Sequence, residues 1–194
     1  MGKIFYVMGK SASGKDTIYQ RLMQEYEFQT VVLYTTRPKR EGEVDGKEYH
    51  FVTEAELRSF EQAGKVIEVR AYDTVHGIWY YFTVDDGQVN LAEHDYLLIG
   101  TLESYQKIRE YYGRENFVPL YIEVEDGERL QRALNREMQQ SQPKYAELCR
   151  RYLADEKDFA EENLQACGIE KRYQNIGLEQ CLEQIRTDIE LEKV

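Results

Sequence analysis

The fold is decided near the amino terminus, where Ile4-Phe5-Tyr6-Val7-Met8 runs into Gly9-Lys10-Ser11-Ala12-Ser13-Gly14-Lys15-Asp16-Thr17. The apolar run of β-branched and aromatic residues predicts a buried strand, and an amphipathic segment follows the glycine-rich loop. A strand, a G-x-x-x-x-G-K loop and a helix in this order are typical of a P-loop, which binds nucleotide phosphates. The two glycines permit backbone angles that turn N–H groups toward an anion, and Lys15 adds a full charge. A chance glycine turn before a helix is the alternative.

The residue after Lys15 departs from the usual P-loop. A Ser or Thr there supplies a hydroxyl to Mg²⁺, whereas this chain has Asp16. A carboxylate is a hard oxygen ligand, so Asp16 can hold Mg²⁺ directly or through water, and Thr17 offers a hydroxyl one residue later. We therefore expect ATP on the loop from Gly9 to Thr17, with Mg²⁺ at Asp16 and Thr17. Alternatively, Asp16 only complements the dipole of the following helix.

Composition limits the class of protein. The chain has 194 residues, 42% of them hydrophobic and 12% aromatic, which suits one compact unit with a substantial core. The net charge of −11 argues against nucleic acid or an anionic membrane as a partner. The three cysteines have no metal-site spacing, and no signal peptide or membrane-length apolar run is evident. We expect a cytoplasmic protein, monomeric or homodimeric, that binds small molecules.

Strands and helices alternate along most of the chain. Predicted strands cover 31–33, 96–99 and 118–124, and predicted helices cover 16–26, 84–93, 102–112, 126–139 with Asp126 as N-cap, 144–165 and 178–189. This alternation predicts a doubly wound α/β sheet with the P-loop at its first crossover. A β-rich block over 35–83 interrupts it, with a capping box at Thr53 and Glu56, strands at 66–72 and 78–83, and a turn around His76-Gly77. We interpret this block as an inserted substrate subdomain.

The block opens with a second specific motif, Thr35-Thr36-Arg37-Pro38-Lys39-Arg40-Glu41-Gly42-Glu43-Val44-Asp45-Gly46-Lys47-Glu48-Tyr49-His50-Phe51-Val52. Arg37 and Arg40 lie three apart on a loop, where their guanidinium groups can bind phosphate oxygens by charge-assisted hydrogen bonds. Solvated surface charge is the alternative. The motif resembles the T-T-R-x-x-R-x-G-E-x-x-G-x-x-Y-x-F-V segment of the guanylate kinase family. By this resemblance Arg37, Arg40 and Tyr49 would bind the phosphate of the acceptor nucleotide.

The resemblance extends over most of the chain. It implies that Glu68 reads the guanine edge and that Tyr80, in a stretch similar to G-x-Y-Y, adds a second hydroxyl at the acceptor phosphate. Without the family, Glu68 is one polar residue in an alternating strand. Two positions depart from the family: Leu33 replaces a serine near the guanine ring, and Leu97-Leu98-Ile99-Gly100 replaces L-D-I-D. Both departures lie at the acceptor site, whereas the P-loop sequence that predicts the kinase chemistry does not include them.

Later arginines match the family lid more loosely. Arg132 and Arg136 share a helix face, and Arg150 and Arg151 resemble its paired arginines. They would act on the transferring phosphoryl group together with Lys15, whereas ordinary helix surface charge is the alternative for each. Asn175 resembles the family's asparagine near the ATP base.

The resemblance thus implies a P-loop parallel sheet with an inserted β-rich nucleotide-monophosphate-binding subdomain and a helical lid. We expect a core of about 1–33, 93–126 and 150–194, an acceptor-binding subdomain of about 34–92 and a lid of about 127–149. The expected activity is ATP-dependent, Mg²⁺-dependent phosphorylation of GMP to GDP. The alternatives are a related kinase with another acceptor, such as another nucleoside monophosphate or ribose 1,5-bisphosphate, and a non-catalytic guanylate-kinase-like binding module.

Overall fold

The computed structural model describes residues 2–74 and 77–193. The main sheet is formed by β1 (Ile4–Met8), β6 (Tyr96–Ile99), β7 (Phe117–Glu123) and β8 (Arg172–Gln174). These four strands are parallel, in the order β6-β1-β7-β8. All of β1 is buried, so its carboxyl end delivers the glycine-rich loop to the middle of the sheet edge. The predicted parallel sheet is confirmed.

Helices cover both faces of this sheet. These helices are α1 (Lys15–Glu25), α3 (Leu102–Tyr112), α6 (Glu161–Ala166) and α7 (Leu178–Glu192). Two further helices, α4 (Asp126–Met138) and α5 (Tyr145–Asp158), are joined through Arg129 and contribute no residue to the two apolar cores of the sheet. Side chains alternate along β1, so Tyr6 packs with residues of α3 and α6, and Phe5 packs with residues of α1 and α7. Apolar cores on both faces make this a doubly wound α/β fold, as predicted.

A second sheet occupies the inserted block. Its strands are β2 (Tyr34–Thr35), β3 (His50–Phe51), β4 (Val66–Thr74) and β5 (Gly77–Val84), in the order β3-β2-β5-β4. The long pair β4 and β5 is antiparallel and has a register shift between Val66 and Glu68. The helix α2 (Glu54–Gln62) covers one face through Leu57, and both hydrogen bonds of the predicted capping box are present. The predicted turn at His76-Gly77 lies partly outside the described residues.

Two predicted elements between the sheets are wrong. No strand forms at 31–33, because both backbone groups of Val32 bond to the Gln88 side chain, at 2.8 and 3.2 Å. Segment 84–93 is not a helix. Gly87 has φ +86°, which is not a helical angle. The Asn90 N–H donates to the Tyr96 hydroxyl at 2.8 Å, so it is not available for a helical hydrogen bond.

Tertiary packing also changes the carboxyl-terminal half. The helix predicted over 144–165 is broken between α5 and α6 because Phe159 turns into the core, with its ring stacked on Tyr121 at 5.7 Å. The N-cap of α4 is Glu125 rather than Asp126, and its side chain accepts from the Glu128 N–H at 2.9 Å. The short strand β8 was not predicted.

Within residues 2–74 and 77–193, no helix is long and apolar enough to cross a bilayer.

One contact in the core explains why Gly100 follows β6. The Tyr6 hydroxyl lies 2.6 Å from Ser104 Oγ, and burial raises the pKa of Tyr6, which keeps the phenol protonated. A Cβ at Gly100 would overlap the Tyr6 Oη and would lie 2.9 Å from Ser104 Oγ. Gly100 does not have a positive φ, so the constraint is lack of space rather than backbone angle. No side chain fits there while Tyr6 is present.

We predict that Gly100→Ala lowers the free energy of unfolding by about 1–3 kcal/mol, the usual cost of overpacking a core. The cost should be smaller in a Tyr6→Phe background, because that variant removes the overlapping oxygen. Urea unfolding of the four proteins in this double-mutant cycle measures both costs. Equal costs in the two backgrounds would contradict the steric explanation.

Candidate active site

The glycine-rich loop has the geometry of an anion site. A Cβ at Gly9 would overlap the Ile122 carbonyl oxygen, and Gly14 has φ +87°, so both positions require glycine. Gly14 is also the N-cap of α1, and no side chain caps that helix. Among the described residues, the N–H groups of Gly14, Lys15 and Asp16 have no hydrogen-bond acceptor. Open amides at a helix amino terminus next to a lysine favour phosphate.

Asn175, predicted to contact ATP, supports this loop in the structure. Its buried side-chain amide donates to the Ser13 carbonyl at 2.8 Å. Arg132, predicted as a lid arginine, donates through Nη2 to the Asn175 carbonyl at 3.1 Å and through Nε to Glu128 at 3.0 Å. Both residues therefore brace the P-loop from its outer side.

A buried arginine on α4, which sequence reasoning missed, connects the P-loop to α5. Arg129 is 1% exposed, and its guanidinium lies 2.6 Å from Glu156, 3.1 Å from Asp126 and 3.5 Å from Asp155. Its Nη1 also donates to the Ser11 carbonyl at 3.4 Å, and its guanidinium lies 4.3 Å from the centre of the Tyr152 ring. The spacing of Asp126 and Arg129 on one helix was the available signal, but it does not reveal partners on α5.

Lys10 and Ser11 join the same network. Lys10 Nζ lies 2.7 Å from Glu156 and 3.2 Å from Asp126. Burial works against the charged lysine, but hydrogen bonds to Glu156 and Asp126 outweigh it and raise the pKa of Lys10. The Ser11 N–H donates to Asp155 at 2.7 Å. These two loop residues, predicted to bind ATP, are held by carboxylates in this structure.

A cleft of about 600 Å³ separates the P-loop from the second sheet. The residues that line it come from the P-loop, the inserted block and α5, and they include Gly9, Ser11, Lys15, Asp16, Tyr49, Arg70, Tyr81, Arg150 and Arg151. The structure therefore brings the predicted donor lysine, the predicted acceptor tyrosine Tyr49 and two predicted lid arginines to one space. Arg136 is exposed and lies outside this cleft, in a neighbouring pocket with Arg129 and Arg151.

The two lid arginines in the cleft share one carboxylate. Arg150 donates to Glu147 through Nε at 2.7 Å and Nη2 at 2.8 Å, and Arg151 Nε donates to it at 2.8 Å. The hydrogen bonds from Arg150 lower the pKa of Glu147 to about 2, with burial opposing and Arg151 adding to the effect. Glu147 thus remains ionised at any physiological pH and holds both guanidinium groups at the cleft wall.

Arg37 and Arg40 are organised around Glu43. Arg37 is buried and makes two hydrogen bonds to the Glu43 carboxylate, at 3.0 and 2.7 Å. Its guanidinium also lies 5.7 Å from the centre of the Tyr49 ring. Arg40 is exposed and donates its backbone N–H to Glu43 at 2.7 Å. Arg37 therefore shapes the loop and positions Tyr49, whereas the Arg40 side chain points outward.

The structure puts Tyr81 rather than Tyr80 in the cleft. Tyr81 pairs with Arg70 across β4 and β5, and its ring centre lies 5.5 Å from that of Tyr49. Tyr80 lies on the opposite face of the sheet, where the Arg58 guanidinium is 5.6 Å from its ring centre. Because neighbours on a strand face opposite sides, Tyr80, predicted at the acceptor phosphate, is turned away from the cleft in this structure.

A pocket of about 220 Å³ adjoins the cleft beside Glu68. Its walls include Tyr6, Leu33, Leu98, Ile99 and Ser104, and both Glu68 and Arg70 line it. The Glu68 side chain is fully buried and is bound by Arg70 Nε at 3.0 Å and Arg70 Nη2 at 3.2 Å. Sequence reasoning did not single out Arg70, although residues two apart on a strand share a face.

The site is chemically suited to Mg²⁺ only together with phosphates. Asp16 lines the cleft, its carboxylate is exposed, and it lies 3.6 Å from Lys15 Nζ. Thr17 is exposed and does not line the cleft. In the described part of the chain, no group of three or more His, Cys, Asp or Glu could hold a metal ion. Mg²⁺ in phosphate-transfer sites is commonly held by one or two carboxylates plus phosphate oxygens, which this arrangement fits.

Comparisons with known proteins agree with the motifs. The guanylate kinase family model matches residues 1–185. The guanylate kinase of Protochlamydia amoebophila is 42% identical over 80 residues, which cover 39% of this chain and 40% of that protein. Guanylate kinase 2, chloroplastic/mitochondrial, of Oryza sativa subsp. japonica is 32% identical over 133 residues, covering 68% of this chain and 45% of that protein. The chain thus spans less than half the length of these curated relatives.

The fold has a solved counterpart. The crystal structure of guanylate kinase from Anaplasma phagocytophilum superposes with a TM-score of 0.64 and 22% identity, covering 98% of this chain and 86% of that chain. This likeness concerns the fold, whereas the family model covers nearly every residue that forms the P-loop, the second sheet and the helical region. The chain belongs to the guanylate kinase family.

Proposed function

We propose that this protein transfers the γ-phosphoryl group of ATP to GMP, giving ADP and GDP. The observation that carries the proposal is the cleft in which Lys15, Arg150 and Arg151 face Tyr49 and Tyr81. Phosphoryl transfer needs alignment and charge neutralisation more than covalent chemistry, and a cleft with cations on one side and hydroxyl donors on the other can supply both. Membership of the guanylate kinase family supports the choice of reaction.

On the donor side, the open amides of Gly14, Lys15 and Asp16 would bind the β- and γ-phosphates, with Lys15 Nζ as the mobile charge. Asp16 is the residue proposed to hold Mg²⁺, and Thr17 is the second candidate. When bound, Mg²⁺ would neutralise charge that develops on the phosphate oxygens. Asn175 and Arg132 would act by keeping the loop in its anion-binding shape.

On the acceptor side, Tyr49 and Tyr81 would donate hydroxyl hydrogen bonds to the acceptor phosphate. Arg40 would reach the same phosphate by rotating its exposed side chain, and Arg37 would keep its place at Glu43 and support Tyr49. The proposed division of the chain is a core of about 1–33, 93–126 and 150–194, an acceptor-binding part of about 34–92 and a lid of about 127–149.

The lid arginines are proposed to exchange partners during the reaction. Arg150 and Arg151 bind Glu147 in this structure and would turn to the transferring phosphoryl group when ATP is present. Such arginine contacts contribute about 10³-fold or more to phosphoryl transfer. Arg136 would join them from its exposed position if the lid closes. We further propose a cytoplasmic location and a monomer or homodimer.

A kinase for ribose 1,5-bisphosphate is less well supported. In the pocket beside the cleft, Arg70 is already paired with the buried Glu68, so its charge is neutralised and does not favour a second phosphate. A non-catalytic binding module would need neither the open P-loop amides nor arginines at the cleft.

We predict that Lys15→Ala lowers kcat by about 10³-fold or more while circular dichroism and thermal unfolding stay unchanged. The reason is that the Lys15 side chain lines the cleft, whereas Lys10, the other P-loop lysine, is held by Glu156 and Asp126. A coupled assay of ADP formation with GMP measures the loss. Lys65→Ala, at an exposed position in the turn between α2 and β4, is the matched control and should retain activity. Near-normal GDP production by Lys15→Ala would refute the proposed activity.

We predict that Asp16→Asn raises the Mg²⁺ concentration needed for half-maximal activity by about tenfold, because an amide is a weaker ligand than a carboxylate. Mg²⁺ titrations of the variant, of Thr17→Ala and of Glu27→Gln as a distant control separate the two candidate ligands. If Asp16 only complements the helix dipole, the variant would unfold at a lower temperature and its Mg²⁺ titration would be unchanged.

We predict that Glu147→Gln lowers the KM for ATP by roughly two- to tenfold. The reason is that a carboxylate at position 147 no longer competes with the ATP phosphates for Arg150 and Arg151. Steady-state kinetics at fixed Mg²⁺ and GMP measure the change. A raised KM would indicate instead that Glu147 orders the arginines for the nucleotide.

A further inference from the structure

One residue of the P-loop has a backbone conformation that its side chain does not favour. Ala12 has φ +64°, and within residues 2–74 and 77–193 every other residue with a positive φ is a glycine. A Cβ disfavours this left-handed region by on the order of tenfold, whereas glycine adopts it freely. The surrounding structure must therefore impose the conformation of Ala12.

On the amino-terminal side of Ala12, side chains hold both polar backbone groups of Ser11. The Ser11 N–H donates to the Asp155 carboxylate at 2.7 Å, and its carbonyl accepts from Arg129 Nη1 at 3.4 Å. Arg129 also lies 3.5 Å from Asp155, so the two side chains that bind Ser11 also contact each other. The contact with Asp155 is the shorter one and has a carboxylate as acceptor, so Asp155 is the main restraint on Ser11.

On the carboxyl-terminal side of Ala12, Ser13 is held in a similar way. The Ser13 N–H donates to the Lys10 carbonyl at 3.2 Å, and its carbonyl accepts from the Asn175 side-chain amide at 2.8 Å. The Ala12 N–H itself has no hydrogen-bond acceptor in the part of the chain that the structure describes. Ala12 therefore lies between two fixed neighbours with its own amide open.

The left-handed angle of Ala12 serves anion binding. Where right-handed and left-handed backbone angles alternate, successive N–H groups converge and form a concavity for an anion. Ala12 and Gly14 both have left-handed angles, and the N–H groups of both residues are open. If Ala12 relaxed to a negative φ, the peptide groups on its two sides would turn relative to each other. Their N–H groups would then no longer converge on a phosphate.

We propose that Asp155 is a positioning residue for ATP, which holds Ser11 and thereby keeps Ala12 in the left-handed conformation that the phosphates need. This inference rests on the proposed function only in taking ATP as the ligand of the P-loop. A purely electrostatic role of Asp155 would have the opposite sign. Asp155 lines the cleft, so a carboxylate that merely faced the phosphates would repel them, and its removal would strengthen ATP binding.

Two substitutions of Asp155 separate the restraint from the charge. Asp155→Asn and Asp155→Ala both remove the negative charge, but only asparagine keeps an oxygen that can accept from the Ser11 N–H. Isothermal titration of the full chain with ATP and Mg²⁺ measures the two affinities. We expect the Kd of Asp155→Ala to be at least about fivefold higher than that of Asp155→Asn, because the binding-competent loop is less populated. Equal Kd values would overturn the inference.

An Ala12→Gly background tests whether the backbone of residue 12 is the cause. Glycine needs no restraint to adopt the left-handed angle, so the difference between Asp155→Ala and Asp155→Asn should fall below about twofold in that background. Damage to the structure around α5 in general would leave the difference unchanged. A difference that persists unchanged would therefore also overturn the inference.

Asp95 provides the matched control. Its carboxylate also accepts a backbone N–H at 2.7 Å, that of Lys3, but it lies at the amino end of β6, whereas the P-loop follows the carboxyl end of β1. Asp95→Ala and Asp95→Asn should therefore bind ATP equally well. If circular dichroism shows that Asp155→Ala does not fold, Asp155→Leu takes its place with the same expectations, since leucine fills the space and has no acceptor.

The outcomes also distinguish this inference from the proposed activity. If ATP binding follows the expected pattern but no GDP forms from GMP, the kinase is refuted and the inference stands. If GMP is phosphorylated but the two Asp155 variants bind ATP equally, the inference is refuted and the kinase stands. If the wild-type protein does not bind ATP, both are refuted.

Discussion

The site depends on one buried cation. Arg129 lies among three carboxylates, two of them on α5 and one on its own helix, and it also reaches the Ser11 carbonyl of the P-loop. Charges this deeply buried persist only when their partners are all in place. The glycine loop that follows β1 is therefore not an independent motif in this chain. Its conformation is coupled to the register of two helices that carry the lid arginines.

This coupling gives the cleft a defined geometry before any ligand arrives. The parallel sheet presents the P-loop at the carboxyl end of β1, and the second sheet presents Tyr49, Arg70 and Tyr81 opposite it. Two arginines at the cleft are held by one carboxylate, since Glu147 binds Arg150 and Arg151. In the proposed reaction a phosphate would replace Glu147 as their anionic partner, so less reorganisation would be needed than for arginines free in solvent.

Sequence reasoning succeeded where the information was local. The glycine loop, the capping box at Thr53 and the period of α7 are set by neighbours in the chain, and all three were predicted. It failed where a distant side chain decided the outcome. Gln88 satisfies the backbone of Val32 and prevents a strand, and Phe159 leaves its helix to pack on Tyr121. Family resemblance located the tyrosine pair but not which ring faces the cleft, because that depends on the register of β5 with β4.

The contact between Tyr6 and Gly100 makes the two positions interdependent in any redesign of the site. The phenol oxygen occupies the volume that a Cβ at position 100 would need. An acidic side chain, which the guanylate kinase family by resemblance carries at that position, therefore requires that the phenol oxygen be removed first. Removal of that oxygen leaves Ser104 Oγ with its hydrogen bonds to Thr101. The order of substitutions is thus set by the size of a single oxygen atom.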